Sequence, residues 1–441
     1  MDRFSVGFGR ADMTPEESVP LYGYGNPKFR RSERILDPLY VTCVALRDGA
    51  GERLLLMQLD IINTPTAVTD PMRAAILEET GIDGDHILIN ATHTHSAPTP
   101  GGSDPAVVRW LLKTTAAAVR AAKDALLDLA PCVRFSTGKM KTDRLNFVRR
   151  YYTENGFVSS NVTQGSGAIT AHETEVDEEM RILRFDREDR PAIVIANWQC
   201  HNHRTGGAKK HDLSADFIGV LRDRAEEDLG VRFLYLQGGA GNVNPHSRIK
   251  GESRVSDYKD VGAALCEHLK QGLKGMTERP LGKIRVLTAS IDGVVNHPTK
   301  EKLAICKEVF DRYDAGDTEG AEALAKENGM TGAIEARAMY RNDKLPPTRK
   351  IGLQCCAIGD VGLTAAPFEM FCQTEKVLRE ASPFDFTISC GYSNTSHGYM
   401  PAAESFPNKG YEVFQCHYVK GTAERINAKQ LEMLGELAAG R

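Results

Sequence analysis

The chain has 441 residues, 26% of them charged, and a formal net charge of -4 with acids and bases interspersed. That balance argues against a nucleic-acid surface or an electrostatic membrane anchor and favours a small-molecule partner. The length allows two or three domains, or one large α/β unit with insertions.

No run approaches the roughly eighteen apolar residues that a spanning helix needs, and the start, Met1 to Gly7, lacks the apolar stretch of a signal peptide. The expectation is a cytoplasmic protein without membrane insertion. Ten cysteines form no CxxC pair and mostly lie in apolar runs, which predicts buried free thiols in a reducing compartment.

The first sixty residues predict a β-rich start. Turn chemistry recurs at Gly9 to Pro15 and at Leu21-Tyr22-Gly23-Tyr24-Gly25. Asp37 to Leu46 and Arg53 to Leu59 then pair as a hairpin across Asp48-Gly49-Ala50-Gly51. A helix follows, capped by Thr69 or Asp70, with Pro71 at its first position and Gly81 at its end. The next strand, His86 to Asn90, makes this a strand, helix, strand unit, read as a parallel crossover.

That strand runs into Ala91-Thr92-His93-Thr94-His95-Ser96. Continued alternation sends Thr92 and Thr94 one way and both histidines the other, at the carboxyl end where such sheets carry their sites. A long alanine-rich helix begins near Ser103-Asp104-Pro105 and runs to about Leu129.

The same grammar recurs downstream. Ala192 to Trp198 reads as a buried strand ending in Cys200-His201-Asn202-His203, Asp216 to Leu229 as a helix, and Val231 to Leu236 as a strand. The turn Gln237 to Pro245 lacks the spacing of a phosphate-binding loop. Its glycines suit close backbone approach to a reacting centre, with Gly239, Asn242 and Asn244 expected beside the substrate.

A strand from Lys283 leads to a charged helical insertion near residues 299 to 345. Ile351 to Ala357 and Val361 to Ala365 form a hairpin. Pro367-Phe368-Glu369 opens a helix to about Glu380, and Phe386 to Cys390 is a last strand. The predicted fold class is α/β: one large catalytic unit with mixed or parallel sheets flanked by helices, plus the insertion.

Several of these segments, in this order and spacing, resemble the neutral/alkaline, non-lysosomal ceramidase N-terminal domain family. They are Gly9 to Asp12, Ala91 to Ser96, Asn197-Trp198 with His201, Gly241-Asn242-Val243-Asn244-Pro245, Phe368-Glu369, and Gly398-Tyr399 followed by Tyr411-Glu412. The resemblance implies a zinc ion held by His93, His201, Glu369 and Tyr399 that activates water to cleave an N-acyl bond. It also implies that His95, Tyr411 and an arginine, Arg149 or else Arg150, line the reaction centre.

The chain departs from that pattern at Asn242, where aspartate is usual, at Asn244 for serine, and at Asn202 for proline. His203 and His211 add nearby imidazoles, so the ligand could be His203 rather than His201. The long-chain members also carry a secretory start and a C-terminal immunoglobulin-like domain, neither of which is expected here.

The residue types agree with the resemblance. Imidazoles plus one carboxylate suit zinc and leave a bound water near neutral pKa. A free imidazole has a pKa near working pH, so His95 suits proton transfer, and Tyr411 with Arg149 could donate to an oxyanion. Two histidines and a carboxylate also form the facial set of non-haem iron, which keeps an oxygen-using enzyme open. A non-catalytic metal- or ligand-binding homologue is the third reading. Asp60 and Asp216 could orient a histidine, or simply cap and pair.

Overall fold

The computed structural model describes residues 3–24, 30–160, 164–206 and 210–440. Gly25 and Arg441, and the first two residues of the Met1 to Gly7 segment, lie outside the described residues.

Eight strands form the main path of the larger sheet: β1 (Ser5–Asp12), β2 (Tyr40–Arg47), β3 (Arg53–Leu59), β4 (Ile87–Ala91), β5 (Ala130–Lys141), β6 (Glu179–Arg187), β7 (Arg190–Trp198) and β8 (Arg232–Gln237). Their order is β8-β7-β6-β5-β1-β2-β3-β4. β3 and β4 are parallel, with Leu55 opposite Ile87, as are β7 and β8, while the remaining pairs are antiparallel. A smaller mixed sheet holds β9 (Ile284–Val294), β10 (Thr348–Ile358), β11 (Val361–Ala365) and β12 (Phe386–Cys390).

β2, β3, β4 and β8 read as nearly continuous apolar runs because both of their faces are buried. Cys43, Ala45, Leu55, Met57 and Ile89 join one core with alanines 117, 118, 121 and 122 of α2 (Pro105–Leu127). Their neighbours Val44, Leu46, Leu54, Leu56 and Leu88 point the other way, onto Cys356, Ile358, Leu363 and Ile388 of the smaller sheet. The sheets therefore stack face to face. With α1 (Thr66–Thr80) and α2, helices α3 (Asp216–Leu229) and α4 (Tyr258–Gly272) cover the outside of the larger sheet.

The insertion forms α5 (Lys300–Asp314), α6 (Thr318–Glu327) and α7 (Ala333–Asn342), around a small core of Cys306, Val309, Ala321 and Ala325. α8 (Cys372–Glu380), α9 (Tyr411–Phe414) and α10 (Thr422–Ala439) complete the helices, and α10 packs on the outer face of the smaller sheet.

Two expected boundaries shift. α1 starts at Thr66 after Pro65, because Val68 and Thr69 are already buried, so Pro71 sits inside the helix; Gly81 ends it in the left-handed conformation, φ 67°. Glu369 does not open a helix. Glu369–Met370 pairs in parallel with Tyr399–Met400, and its backbone is committed to that bridge before α8 starts at Cys372.

Candidate metal centre

The two end strands of the larger sheet, β4 and β8, meet through one side chain. Asn90 Oδ1 accepts the Gln237 N–H at 2.7 Å, and Asn90 Nδ2 donates to the Gly391 carbonyl at 2.7 Å. The ends of β4 and β7 therefore open onto one space, and the histidines that follow them converge there.

Strand alternation is not what brings His93 and His95 together. β4 stops at Ala91, and His93 turns left-handed at φ 61°. The turn sets His93 Nε2 at 3.2 Å from His95 Nε2 and at 3.4 Å from Glu369 Oε2, with His201 Nε2 also 3.4 Å from that oxygen.

Each imidazole is oriented by a main-chain carbonyl. His93 Nδ1 faces the Ile62 oxygen at 2.6 Å, His95 Nδ1 that of Gly23 at 3.0 Å, and His201 Nδ1 that of Ala240 at 2.7 Å. A carbonyl only accepts, so each Nδ1 must carry the hydrogen. Burial holds all three rings neutral, pushing His93 down to about 3 and His95 and His201 well below the usual range. Each Nε2 is therefore a bare lone pair.

Three lone pairs thus converge with no proton between them. Glu369 Oε2 beside them is buried without a hydrogen-bond partner, and desolvation raises that carboxyl to about 7. Donors about 2.0–2.1 Å from one tetrahedral zinc stand roughly 3.3 Å apart; the 3.4 Å separations of Glu369 from His93 and His201 match that spacing. His93, His95 and His201 form a buried group that can hold a metal ion.

Tyr399 joins the cluster, with Oη 3.3 Å from His201 Nε2 and accepting from Arg149 Nη2 at 3.0 Å. Burial pushes the Tyr399 hydroxyl well above its ordinary range. Arg149 Nε donates to Glu412 Oε1 at 2.7 Å and Nη1 to Asn244 Oδ1 at 3.3 Å. Arg150 diverges: it is fully buried, donates to Glu412 Oε2 at 2.9 Å and pairs with Glu173. Arg149 is thus the arginine that reaches the cluster. Tyr411 stands at the rim, 40% exposed, its ring 5.6 Å from that of Tyr399.

His201, not His203, faces Glu369; His203 Nε2 bonds Asn244 Oδ1 at 2.9 Å. His211 lies apart, against the Arg31 carbonyl. Asp60 pairs with Arg222 at 2.7 Å, and Asp216 accepts from Thr205 and from the Phe217 N–H. Neither orients a histidine, because main-chain carbonyls already do.

The three residues expected beside the substrate divide. Asn244 borders the centre through Arg149 and His203. Gly239 instead donates its N–H to Glu375 at 2.6 Å, and Asn242 Oδ1 accepts the Cys372 N–H at 3.0 Å, capping α8 from outside. Their polar groups serve the scaffold. Asn242→Ala is accordingly expected to cost about 1–2 kcal/mol of stability, seen as a lower melting temperature, with KM unchanged; a KM effect without destabilisation would contradict this. Gly241 has a different role: a Cβ there would lie 2.4 Å from the Glu369 carbonyl oxygen, so only glycine lets this turn pass against the main chain that carries Glu369.

Gly23 and Tyr392 escaped sequence reasoning. Besides receiving His95 Nδ1, Gly23 adopts φ 109°, and a Cβ there would sit 2.6 Å from the imidazole. Tyr392 packs its ring 4.2 Å from that of His93. Leu21 to Gly25 carried a turn signal alone, and a lone tyrosine after a strand carries none.

No family model and no curated protein matches the sequence. Among solved structures, the fold is similar to that of the neutral ceramidase from Pseudomonas aeruginosa. The TM-score is 0.73 at 18% identity, covering 99% of this chain and 74% of that one. It is also similar to a structure described as ceramidase complexed with C2, with TM-score 0.74 at 17% identity, covering 99% and 75%. The chain therefore has a ceramidase-like α/β fold with a buried histidine group able to hold a metal. No helix among the described residues is long and apolar enough to cross a membrane.

Proposed function

We propose that this chain is a zinc-dependent amidohydrolase that cleaves the N-acyl bond of a small N-acylated compound, with His93, His201, Glu369 and Tyr399 as metal ligands. One observation carries the reading: unprotonated imidazole nitrogens converge on a buried carboxylate oxygen that has no hydrogen-bond partner. Such a donor set repels itself unless a cation lies within it, and imidazole with carboxylate suits zinc. The ceramidase-like fold supports an amide as the bond cleaved. When bound, the ion supplies Lewis acidity.

The chain's own groups divide the remaining work. His95 presents its Nε2 lone pair beside His93 and accepts a proton from the attacking water, returning it to the departing amine. Arg149 has five N–H donors, of which Glu412, Asn244 and Tyr399 take three. The other two serve the carbonyl oxygen as it gains charge, with Tyr411 adding its hydroxyl from the open side.

The chain acts as one catalytic unit, with the helical insertion as an accessory wall. Ten free cysteines, all buried, support a cytoplasmic setting. The test is turnover of model N-acyl compounds by the full chain. Hydrolysis should vanish on chelation and return with zinc; turnover that survives chelation, or bound iron with a redox-dependent spectrum, would overturn the proposal.

A further inference from the structure

The helical insertion reaches the mouth of the centre. α7 packs on α9, which opens with Tyr411, and Arg341 in the last turn of α7 donates from Nη2 to Gln415 Oε1 at 2.8 Å. Tyr22 and Tyr411 are each 40% exposed. Arg341 lies within electrostatic reach of both phenols, and both phenols within reach of Glu369. Gln415, which Arg341 holds, lies one turn along α9 from Tyr411, whose ring stands 5.6 Å from that of Tyr399 at the cluster.

Arg341 is half-buried, yet among the described residues no carboxylate pairs with it. The arginine deeper in the site, Arg149, is already matched by Glu412. Arg337, one turn earlier on α7, is held over the Tyr313 ring with Cζ 3.6 Å from its centroid. Arg341 therefore presents a guanidinium with no carboxylate partner, a planar fork of donors, beside the helix that carries Tyr411. A half-buried guanidinium is desolvated at a cost that an oxyanion offsets, and its fork fits a carboxylate.

We infer that Arg341 is a specificity-determining residue that binds a carboxylate carried by the substrate, so that N-acyl amino acids and similarly anionic amides are preferred over neutral ones. This rests on the amidohydrolase reading for its substrate class.

The test is equilibrium binding of N-acetylphenylalanine and of its primary amide to the full chain, by titration calorimetry. The wild-type chain should bind the acid at least about tenfold more tightly than the amide. Arg341→Gln should bind both alike, and Arg341→Lys, which keeps the charge, should retain part of the preference. Circular dichroism checks that each variant is folded.

An acid-to-amide ratio unchanged by Arg341→Gln, or no preference in the wild type, overturns the inference. Should Arg341→Gln fail to fold, the lysine variant decides: a preference undiminished when the fork is lost also overturns it. Binding needs no turnover, so the two ideas can fail separately. A chain that shows the Arg341-dependent preference but hydrolyses no N-acyl compound sinks only the amidohydrolase reading. A chain that hydrolyses acid and amide equally well sinks only this one.

Discussion

Glu369→Gln should make the metal-free chain more stable while destroying its capacity to hold a cation. The carboxyl ordinarily titrates near 4.5, and burial raises it in the folded chain to about 7. Its ionised form is thus disfavoured by folding. The contribution of this group to stability is greatest below the unfolded value and is lost as pH rises through the folded one.

Removing the charge should therefore stabilise the metal-free chain by about 3 kcal/mol at pH 8 and by almost nothing at pH 4. Chemical denaturation in chelator at the two values measures this. Metal affinity should fall by more than about a hundredfold, beyond what loss of an outer partner of a ligand costs, and hydrolysis with it. A variant less stable than wild type at pH 8, or one that keeps stoichiometric metal, would contradict the assignment of Oε2.

Gly23→Ala should separate the proton-transfer site from the metal. The new Cβ would lie 2.6 Å from the His95 ring in a backbone conformation of φ 109°, so the imidazole must swing away from the Gly23 carbonyl. His93, His201 and Glu369 do not touch that loop in any bond described above. The variant should bind metal normally and lose about 10²–10⁴ in kcat/KM, with a stability cost of about 1–3 kcal/mol. Loss of metal along with activity would make His95 a ligand, in keeping with its 3.2 Å approach to His93.

Much of the scaffold is legible in the residues. The hairpin of β2 and β3 follows from Asp48 to Gly51, Gly81 marks the end of α1, and Asp104 with Pro105 marks the start of α2. β5 and β6 left no such mark, although they stand at the centre of the larger sheet. Arg134, Lys139, Lys141, Arg184 and Asp186 interrupt their apolar pattern, and partly exposed faces carry those charges.

At the centre, histidines at strand ends pointed to the imidazoles the fold brings together, whereas Glu369 and Tyr399 were indicated only through the family resemblance. Main-chain atoms fix their aim, and no side-chain motif reveals them. The carbonyls of Gly23, Ile62 and Ala240 orient three rings from three separate loops. Glycine content suggested that Gly239 and Asn242 approach the substrate, yet the folded chain uses that turn to anchor α8 and Glu375.

The central claim is that four side chains from distant parts of the sequence share one zinc ion. A crystal of the zinc-loaded chain, measured at the zinc absorption edge, addresses it directly. One anomalous peak should lie about 2.0–2.2 Å from His93 Nε2, His201 Nε2 and Glu369 Oε2, with Tyr399 Oη completing the set. A peak elsewhere, or none at the cluster in a stoichiometrically loaded crystal, would contradict the account.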